Sequence, residues 1–491
     1  MQGTREYLLD NIVSWVTNKS GQKDGGDAYW IYGLPGLGKT TLAHSICASL
    51  HEEKHLAGAF FCQRNDPNLS EPRNILPTLI YKLAMVFPPF RTIVAETLRN
   101  DPNLTPDSMK YSLFLDFLSK LPHPPKRTLV FVIDALDECG DNRSRPSILK
   151  ILTDAAMQAP WLKIIITSRP EVDIQHFFDA PSRSSYLRYD LATDQNASAD
   201  LRTFARSLLA LVASDSYLSS PWPEESLFNR VLNQANGLFI FTKTFVLALR
   251  QSKDPKESLE ATLEGPAGTG MEALYGLYSN ILNTRLVRSD IDRIRRMIGV
   301  LLATAPNRSL CEETIATLAG IPPHLVQTWV DDLSSLLYRN EGSNGGVRVR
   351  HLSISEFFSS DHCNYQVTLQ DAHVQLGIAC LETMVHQLRF NICKLEDSRL
   401  ANAQINDLPT LIKQNISDAL QYCSFYWSNH LCFAPDNRDR RVLESLKVFF
   451  EGVYPLYWIE VLSIMGVVPI GAPSLRRVIF WIKVRMIFIC I

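Results

Sequence analysis

Apolar positions in the first part of the chain follow two rhythms in turn. Leu8, Ile12 and Val16 recur at helical spacing within Thr4–Val16, whereas Ala28–Tyr32 is a short unbroken apolar run of the kind that forms a buried strand. The helical rhythm resumes at Leu42, Ile46 and Leu50, and the strand rhythm at Leu56–Cys62. Asn74–Met85 predicts a helix with Ile75, Leu79 and Leu83 on one stripe. Ser112–Leu121 predicts another, closed by His123-Pro124-Pro125. Further strand-like runs occupy Thr128–Ile133, with the acids of Thr128–Glu138 after it, Leu162–Thr167 and Tyr186–Leu191. The run TLVFVI is apolar or β-branched without alternation, as in a parallel strand covered on both faces. The fold class expected is therefore α/β, a parallel sheet with flanking helices.

Beyond Leu191 only the helical rhythm remains at first. Leu201, Phe204 and Leu208 form one stripe, and Leu227 and Val231 begin another before Gly237-Leu238-Phe239-Ile240. Lys253–Gly270, with KDPKES and GPAGTG, reads as a linker. Two more stripes follow, Ile294, Ile298, Leu301 and Leu325, Trp329, Leu333. They precede a hairpin signal, LLYRN-EGSNGG-VRVRH, an order that predicts a winged-helix domain. A last helical region carries Leu376, Cys380 and Met384 on one face. The tail Val478–Ile491 is apolar but contains Lys483 and Arg485, too short and too polar to span a bilayer. It reads first as a core helix or strand missing its partner, and second as a basic membrane-surface segment. The segmentation expected is 1–27 lead-in helix and linker, 28–191 nucleotide-binding domain, 192–270 helical lid and linker, 271–360 winged helix, 361–450 all-α, and 451–491 apolar tail, the chain being either a truncated or incomplete gene product or a partner for full-length relatives.

Composition changes this picture little. With 46% hydrophobic and 20% charged residues the 491-residue chain is that of an ordinary globular protein with several domains. A net charge of −2 gives no basic field for nucleic acid. Arg348 and Arg350 on the hairpin stand amid Asp331, Asp332 and Glu341, which leaves no basic stripe there either. The ten cysteines include no C-x-x-C pair, which points to reduced thiols and a cytoplasmic setting. Met1–Asn11 contains Arg5, Glu6 and Asp10 and does not read as a signal peptide. No repeat array is evident.

The chemistry concentrates at the ends of the strand-like runs. Gly33, Leu34, Pro35, Gly36, Leu37, Gly38, Lys39 and Thr40 have the spacing G-x-x-x-x-G-K-[ST] of a phosphate-binding loop, set between a strand and a helix. Glycines let the backbone N–H groups approach phosphate oxygens, Lys39 adds a point charge, and the Thr40 hydroxyl suits Mg²⁺. A plain glycine-rich turn is the alternative. Asp134, Asp137 and Glu138 follow the run TLVFVI, at the carboxyl end of a strand where ligands of open α/β sheets sit. Asp134 is placed to hold Mg²⁺, and Glu138, or else Asp137, to deprotonate a water. Arg169 ends the run IIITS and offers a cation for the terminal phosphate, or is a surface arginine. His351 shares strand parity with Val347 and Val349 and is expected to point inward, as a core histidine if it has no ligand.

The set GLPGLGKT, VFVIDALDE and IIITSRPE resembles the NACHT domain, a signal-transduction P-loop NTPase module of the STAND class. The flanks GTREYLLDNIVSWV, GAFFCQRNDPNLSEPRNILPTLIYKLA and NGLFIFTKTFVLAL are similar to those of NACHT families of mushroom-forming fungi. The resemblance implies that Gly33–Thr41, Thr41 included, bind ATP or ADP phosphates, that Thr40 and Asp134 hold Mg²⁺, and that Asp137 and Glu138 are the acidic pair. It implies a sensor role for Arg169, a helical lid after the sheet, and a winged-helix histidine, His351, on the β-phosphate of ADP. Many NACHT domains have glycine where Ala135 stands, a departure expected to matter little. By resemblance the protein is a nucleotide-dependent signalling switch of the NLR-like type used in fungal non-self recognition. It would hydrolyse ATP slowly, and assemble with itself or with related NACHT proteins when ATP is bound. A nucleotide-binding scaffold or decoy without meaningful turnover is the alternative, as GTP is to ATP. Neither a nucleic-acid nor a membrane partner is expected.

Overall fold

The computed structural model describes residues 3–17, 26–64, 66, 68–100, 111–180, 186–218, 221–264, 268–304, 309–340, 345–397, 399–433 and 440–489, with side chains beyond Lys483 left out. It divides into two compact units, Met1–Leu277 and Tyr278–Ile491. Residues 18–25 of the expected lead-in linker, the hairpin tip at 341–344 and the last two residues of the tail lie outside the described residues.

The first unit is built on a five-stranded parallel sheet: β1 (Ala28–Tyr32), β2 (Leu56–Phe61), β3 (Leu129–Asp134), β4 (Leu162–Ser168) and β5 (Leu187–Asp190), in the order β2-β3-β4-β1-β5. Every residue of β3 and β4 is buried, which is why their sequences do not alternate. The register brings the carboxyl ends level, with Tyr32 opposite Ser168 and Asp190, and Phe61 opposite Asp134. The loops that leave β1, β3 and β4 therefore share one edge of the sheet. Trp30 fixes one face of β1: its ring stacks on Phe178 at 4.7 Å, and its Nε1 donates to Ser168 Oγ at 2.8 Å. The helix Glu6–Thr17 buries Leu8, Ile12 and Val16 as the stripe predicts. Lys163 of β4 holds it, donating to the Trp15 carbonyl at 2.6 Å.

Helices Ala197–Asp215, Glu225–Ala235 and Phe239–Arg250 follow the sheet. The expected linker Lys253–Gly270 contains a fourth helix, Pro255–Leu263. Asp254 caps it, accepting from the amides of Lys256 and Glu257 at 2.9 and 3.0 Å, with Pro255 at the first helical position. Asp-Pro there is a helix start, and reading KDPKES as polar linker overlooked it.

In the second unit, helices Ile291–Thr304, Glu312–Ala319 and Pro323–Asp332 precede an antiparallel hairpin of β6 (Leu337–Arg339) and β7 (Val347–Val349), with a bridge from Leu310 to Val347. Ile294, Ile298, Trp329 and Leu333 are buried, as their stripes predict. Helix Leu352–Phe358 follows, then a helical region that includes Leu369–Gln387, Asp418–Phe433 and Gly471–Ile489. The tail thus extends a helix that begins at Gly471. Val478 is buried, while Ile479 and Phe480 are 50% and 71% exposed. Among the described residues no helix is long and apolar enough to cross a membrane.

Helices Leu369–Gln387 and Asp418–Phe433 enclose a polar chain in an apolar core. His373 Nδ1 lies 2.9 Å from His430 Nδ1, and His430 Nε2 lies 2.8 Å from the Tyr422 hydroxyl. Burial pushes His373 down to about 4, and burial together with His373 pushes His430 to about 3. Both rings thus stay neutral where an unfolded histidine, titrating near ~6.5, takes up a proton. The unfolded state binds more protons below that value, so stability is full above it and falls as pH drops towards 4. His373→Leu should lessen the pH slope of the second unit's unfolding between those limits by up to about 1.4 kcal/mol per pH unit, the share of one proton. Denaturant unfolding at stepped pH checks this, and an unaltered slope would count against two neutral rings.

Candidate functional site

The loop leaving β1 is shaped by two glycines that only the left-handed backbone region accommodates. Gly36 has φ +83° and Gly38 φ +85°, the latter at the N-cap of helix Lys39–Glu52. Gly36 also has no room for a side chain: a Cβ there would lie 2.2 Å from Ile240 Cγ2, at the start of helix Phe239–Arg250. The Ile240 amide donates to the Gly36 carbonyl at 3.3 Å. Loop and following helices are therefore in direct contact. Lys39 curls back, its Nζ donating to the carbonyls of Gly33 at 2.7 Å and Leu34 at 2.9 Å. Burial lowers its pKa to about 8, against the raising influence of Asp137, Asp134 and Glu138.

The acids meet this loop from β3. Asp134 is 1% exposed, and its Oδ1 accepts from the Thr167 hydroxyl. Thr167 Oγ1 in turn accepts from the Ala135 amide at 3.0 Å. The Thr40 side chain faces Asp134 closely enough to favour its charged form. Burial holds the Asp134 carboxyl above its usual range, opposed by the bond from Thr167, by Thr40 and by Lys39. Asp137 and Glu138 sit on a short 3-10 turn, Leu136–Glu138. Asp137 is committed to Arg169, accepting from its amide at 2.9 Å through Oδ1 and pairing with its Nε at 3.3 Å through Oδ2. Glu138 points elsewhere, its Oε2 accepting from the Arg64 amide at 3.1 Å. Burial raises its pKa, Asp137 adds to the rise, and the Arg64 amide counters it.

The arrangement fits a Mg²⁺–nucleotide. A desolvated carboxylate beside a hydroxyl offers hard oxygens, and Mg²⁺ commonly takes one or two protein ligands while phosphates and waters complete its shell. Among the described residues no group of three His, Cys, Asp or Glu is arranged to hold a metal alone, so the nucleotide would have to supply the rest. Thr41 lines a small cavity beside the loop, together with Arg5, Leu9, Leu37, Leu42 and Phe239. Arg5 reaches it from a left-handed backbone position (φ 59°), ion-paired to Asp194 and donating its amide to Asp200 at 3.1 Å.

Gly33–Thr41, Asp134, Asp137, Glu138 and Arg169 all belong to the first unit, on one edge of its sheet. His351 belongs to the second. Strand β7 ends at Val349, so the parity argument does not reach it. Instead His351 caps helix Leu352–Phe358, its Nδ1 accepting from the Ser353 amide at 3.1 Å. Thr167, Arg64 and Arg5 were not legible as site residues. Thr167 alone carried a signal, as the polar residue that ends the apolar run Ile164–Ile166.

Comparison with known proteins agrees with the motif geometry. Residues 3–169 match the family model described as Nephrocystin 3, N-terminal. Phosphate loop, acidic strand end and following arginine are the parts of a P-loop NTPase fold, and the matched stretch is NACHT-like in that arrangement. No curated protein matches the chain in sequence. Solved structures align weakly. Cdc6p from Pyrobaculum aerophilum is 12% identical with a TM-score of 0.34, covering 73% of this chain and 94% of that one. The Aeropyrum pernix Orc1 protein in complex with DNA is 13% identical at 0.30, covering 74% and 93%. Drosophila ORC bound to DNA is 11% identical at 0.30, covering 74% and 97%. Scores this low carry no argument about function.

Ala135 differs from the sequence expectation in one respect. It sits at φ 52°, ψ 47°, the left-handed region, so alanine in place of glycine carries a backbone cost although it leaves the metal side open. That conformation costs an L-residue roughly 1–2 kcal/mol, offset in part by the greater freedom glycine loses on folding. Ala135→Gly should therefore stabilise the first unit by up to about 1 kcal/mol. A thermal or denaturant unfolding series reads this, and a lower midpoint would show that Ala135 is not strained.

Proposed function

We propose that the chain is a nucleotide-dependent signalling switch: ADP-bound and closed at rest, able to oligomerise when ATP is bound, and reset by slow hydrolysis. The observation that carries this reading is the convergence of Thr40, Asp134 and Lys39 at the strand edge, with Glu138 on the adjoining turn, where its Oε2 accepts from the Arg64 amide. In this reading the amides of Gly33–Thr41 and the Lys39 ammonium bind the phosphates of ATP, and Thr40 and Asp134 hold Mg²⁺. Bound there, Mg²⁺ would neutralise charge on the outer phosphates. Glu138 orients a water and takes its proton as the oxygen attacks the terminal phosphorus; the bond to the bridging oxygen breaks and ADP remains. Asp137 is the weaker candidate because both its oxygens already accept from Arg169. Arg169, held in place by Asp137, faces the terminal phosphate.

The motif resemblance supports a fungal, NLR-like setting in the cytoplasm, with further copies or related NACHT proteins as partners rather than nucleic acid or membrane. The helix–hairpin order after Tyr278 supports a winged-helix assignment, and His351 is its proposed contact to the β-phosphate of ADP.

Mass spectrometry of nucleotide retained through purification identifies base and phosphate number first. With ATP loaded, Glu138→Gln should keep the nucleotide but slow single-turnover hydrolysis by roughly 10²–10⁴, the worth of a positioned base. Unchanged hydrolysis would move the role to Asp137, and no hydrolysis in the parent would favour a scaffold. His351→Ala should speed ADP release by about 10-fold or more, since a hydrogen bond to a charged group contributes ~1.5–3 kcal/mol. An unaltered ADP off-rate, with helix Leu352–Phe358 merely less stable, would leave His351 as a helix cap.

A further inference from the structure

Arg145, near the start of helix Ser144–Gln158, stands behind the acidic turn and has no part in the chemistry above. Its Nε and Nη2 donate to Oδ2 and Oδ1 of Asp173 at 2.8 and 3.1 Å, a two-point fork. The pair is largely buried, at 11% and 12% side-chain exposure. The remaining arm, Nη1, donates to the carbonyls of Asp137 at 3.4 Å and Gly140 at 3.3 Å. Those carbonyls bracket Glu138. Asp173 lies in the first turn of helix Val172–Asp179, just beyond Arg169.

One guanidinium thus grips the acidic turn by its backbone and the arginine loop by a carboxylate. On the far side, Asp137 and Arg169 tie the same two segments directly. The two ties form a ladder in which the turn cannot shift without the loop. A lysine could not replace the rung, because an ammonium has neither the planar fork for a carboxylate nor a third arm at a fixed angle.

We propose that Arg145 is a positioning residue that locks the acidic turn and the Arg169 loop in one register, so that Glu138 and Arg169 address the outer phosphate together. This rests on the nucleotide-hydrolysing reading of the site. All three arms of the Arg145 guanidinium are engaged by Asp173 and by the carbonyls of Asp137 and Gly140, so its removal disturbs the geometry of hydrolysis and leaves phosphate binding by the glycine loop in place. Misplacement of about 1 Å costs on the order of 10²-fold in rate.

The test uses the full chain with Arg145→Lys, Arg145→Ala and Asp173→Asn. Hydrogen exchange should rise together at the amides of residues 136–140 and 169–173, where Glu138, Cys139, Gly140 and Arg169 now donate hydrogen bonds. Single-turnover hydrolysis should fall by about 10–100-fold while ATP affinity stays within about twofold, and Arg145→Ala combined with Asp173→Asn should cost no more than either alone. Exchange rising in one segment only, or affinity falling in step with rate, overturns the proposal. If the parent binds ATP but releases no phosphate, the hydrolysis reading falls by itself, and the exchange measurement still decides the lock. Arg145→Lys guards against a variant that fails to fold.

Discussion

The site depends on a carboxylate taken out of water. Asp134 ends a strand in which every residue is buried, and an unpartnered charge there would be costly enough to unmake the strand end. Its partners come from different elements: Thr167 from the neighbouring strand, Thr40 and Lys39 from the loop and helix after β1. Each is in reach only because the parallel register brings the carboxyl ends level. Sheet register, loop shape and helix start are thus fixed by one charge that must be satisfied. The same group is the one a divalent cation would approach.

This explains why much of the first unit could be read from sequence and where reading stopped. Buried parallel strands leave unbroken apolar runs, and β1, β3 and β4 fall within a residue or so of where those runs place them. The phosphate loop was legible because glycine spacing and a lysine have few other uses together. The division of labour between Asp137 and Glu138 was not, because it turns on which carboxylate meets Arg169 across two loops. The Arg145 fork is likewise hidden: Arg145 and Asp173 are ordinary surface residue types until two helices bring them together. For His351, parity was applied past the strand's end at Val349, and a capping geometry took over.

The acidic turn and the arginine loop differ in character from the phosphate loop. The former are tied by charged forks and a buried pair, interactions that hold one geometry and tolerate little else. The latter is held by backbone bonds and a lysine that reaches its own carbonyls, contacts that a phosphate could replace one for one. A firmly tied turn and loop face a second loop able to exchange partners. That division suits a site in which binding and chemistry are separate events.

The meeting of Gly36 with Ile240 has a consequence for descent. The missing side chain at one position is filled by the branched side chain at the other, across a gap that admits one of them. A lineage that put a larger residue in the loop would have to trim position 240 in the same step, or give up the contact between loop and helix. The two positions are therefore inherited as a pair, although most of the phosphate-binding domain lies between them in sequence. Variation at 240 among relatives would then record the shape of the loop at Gly36.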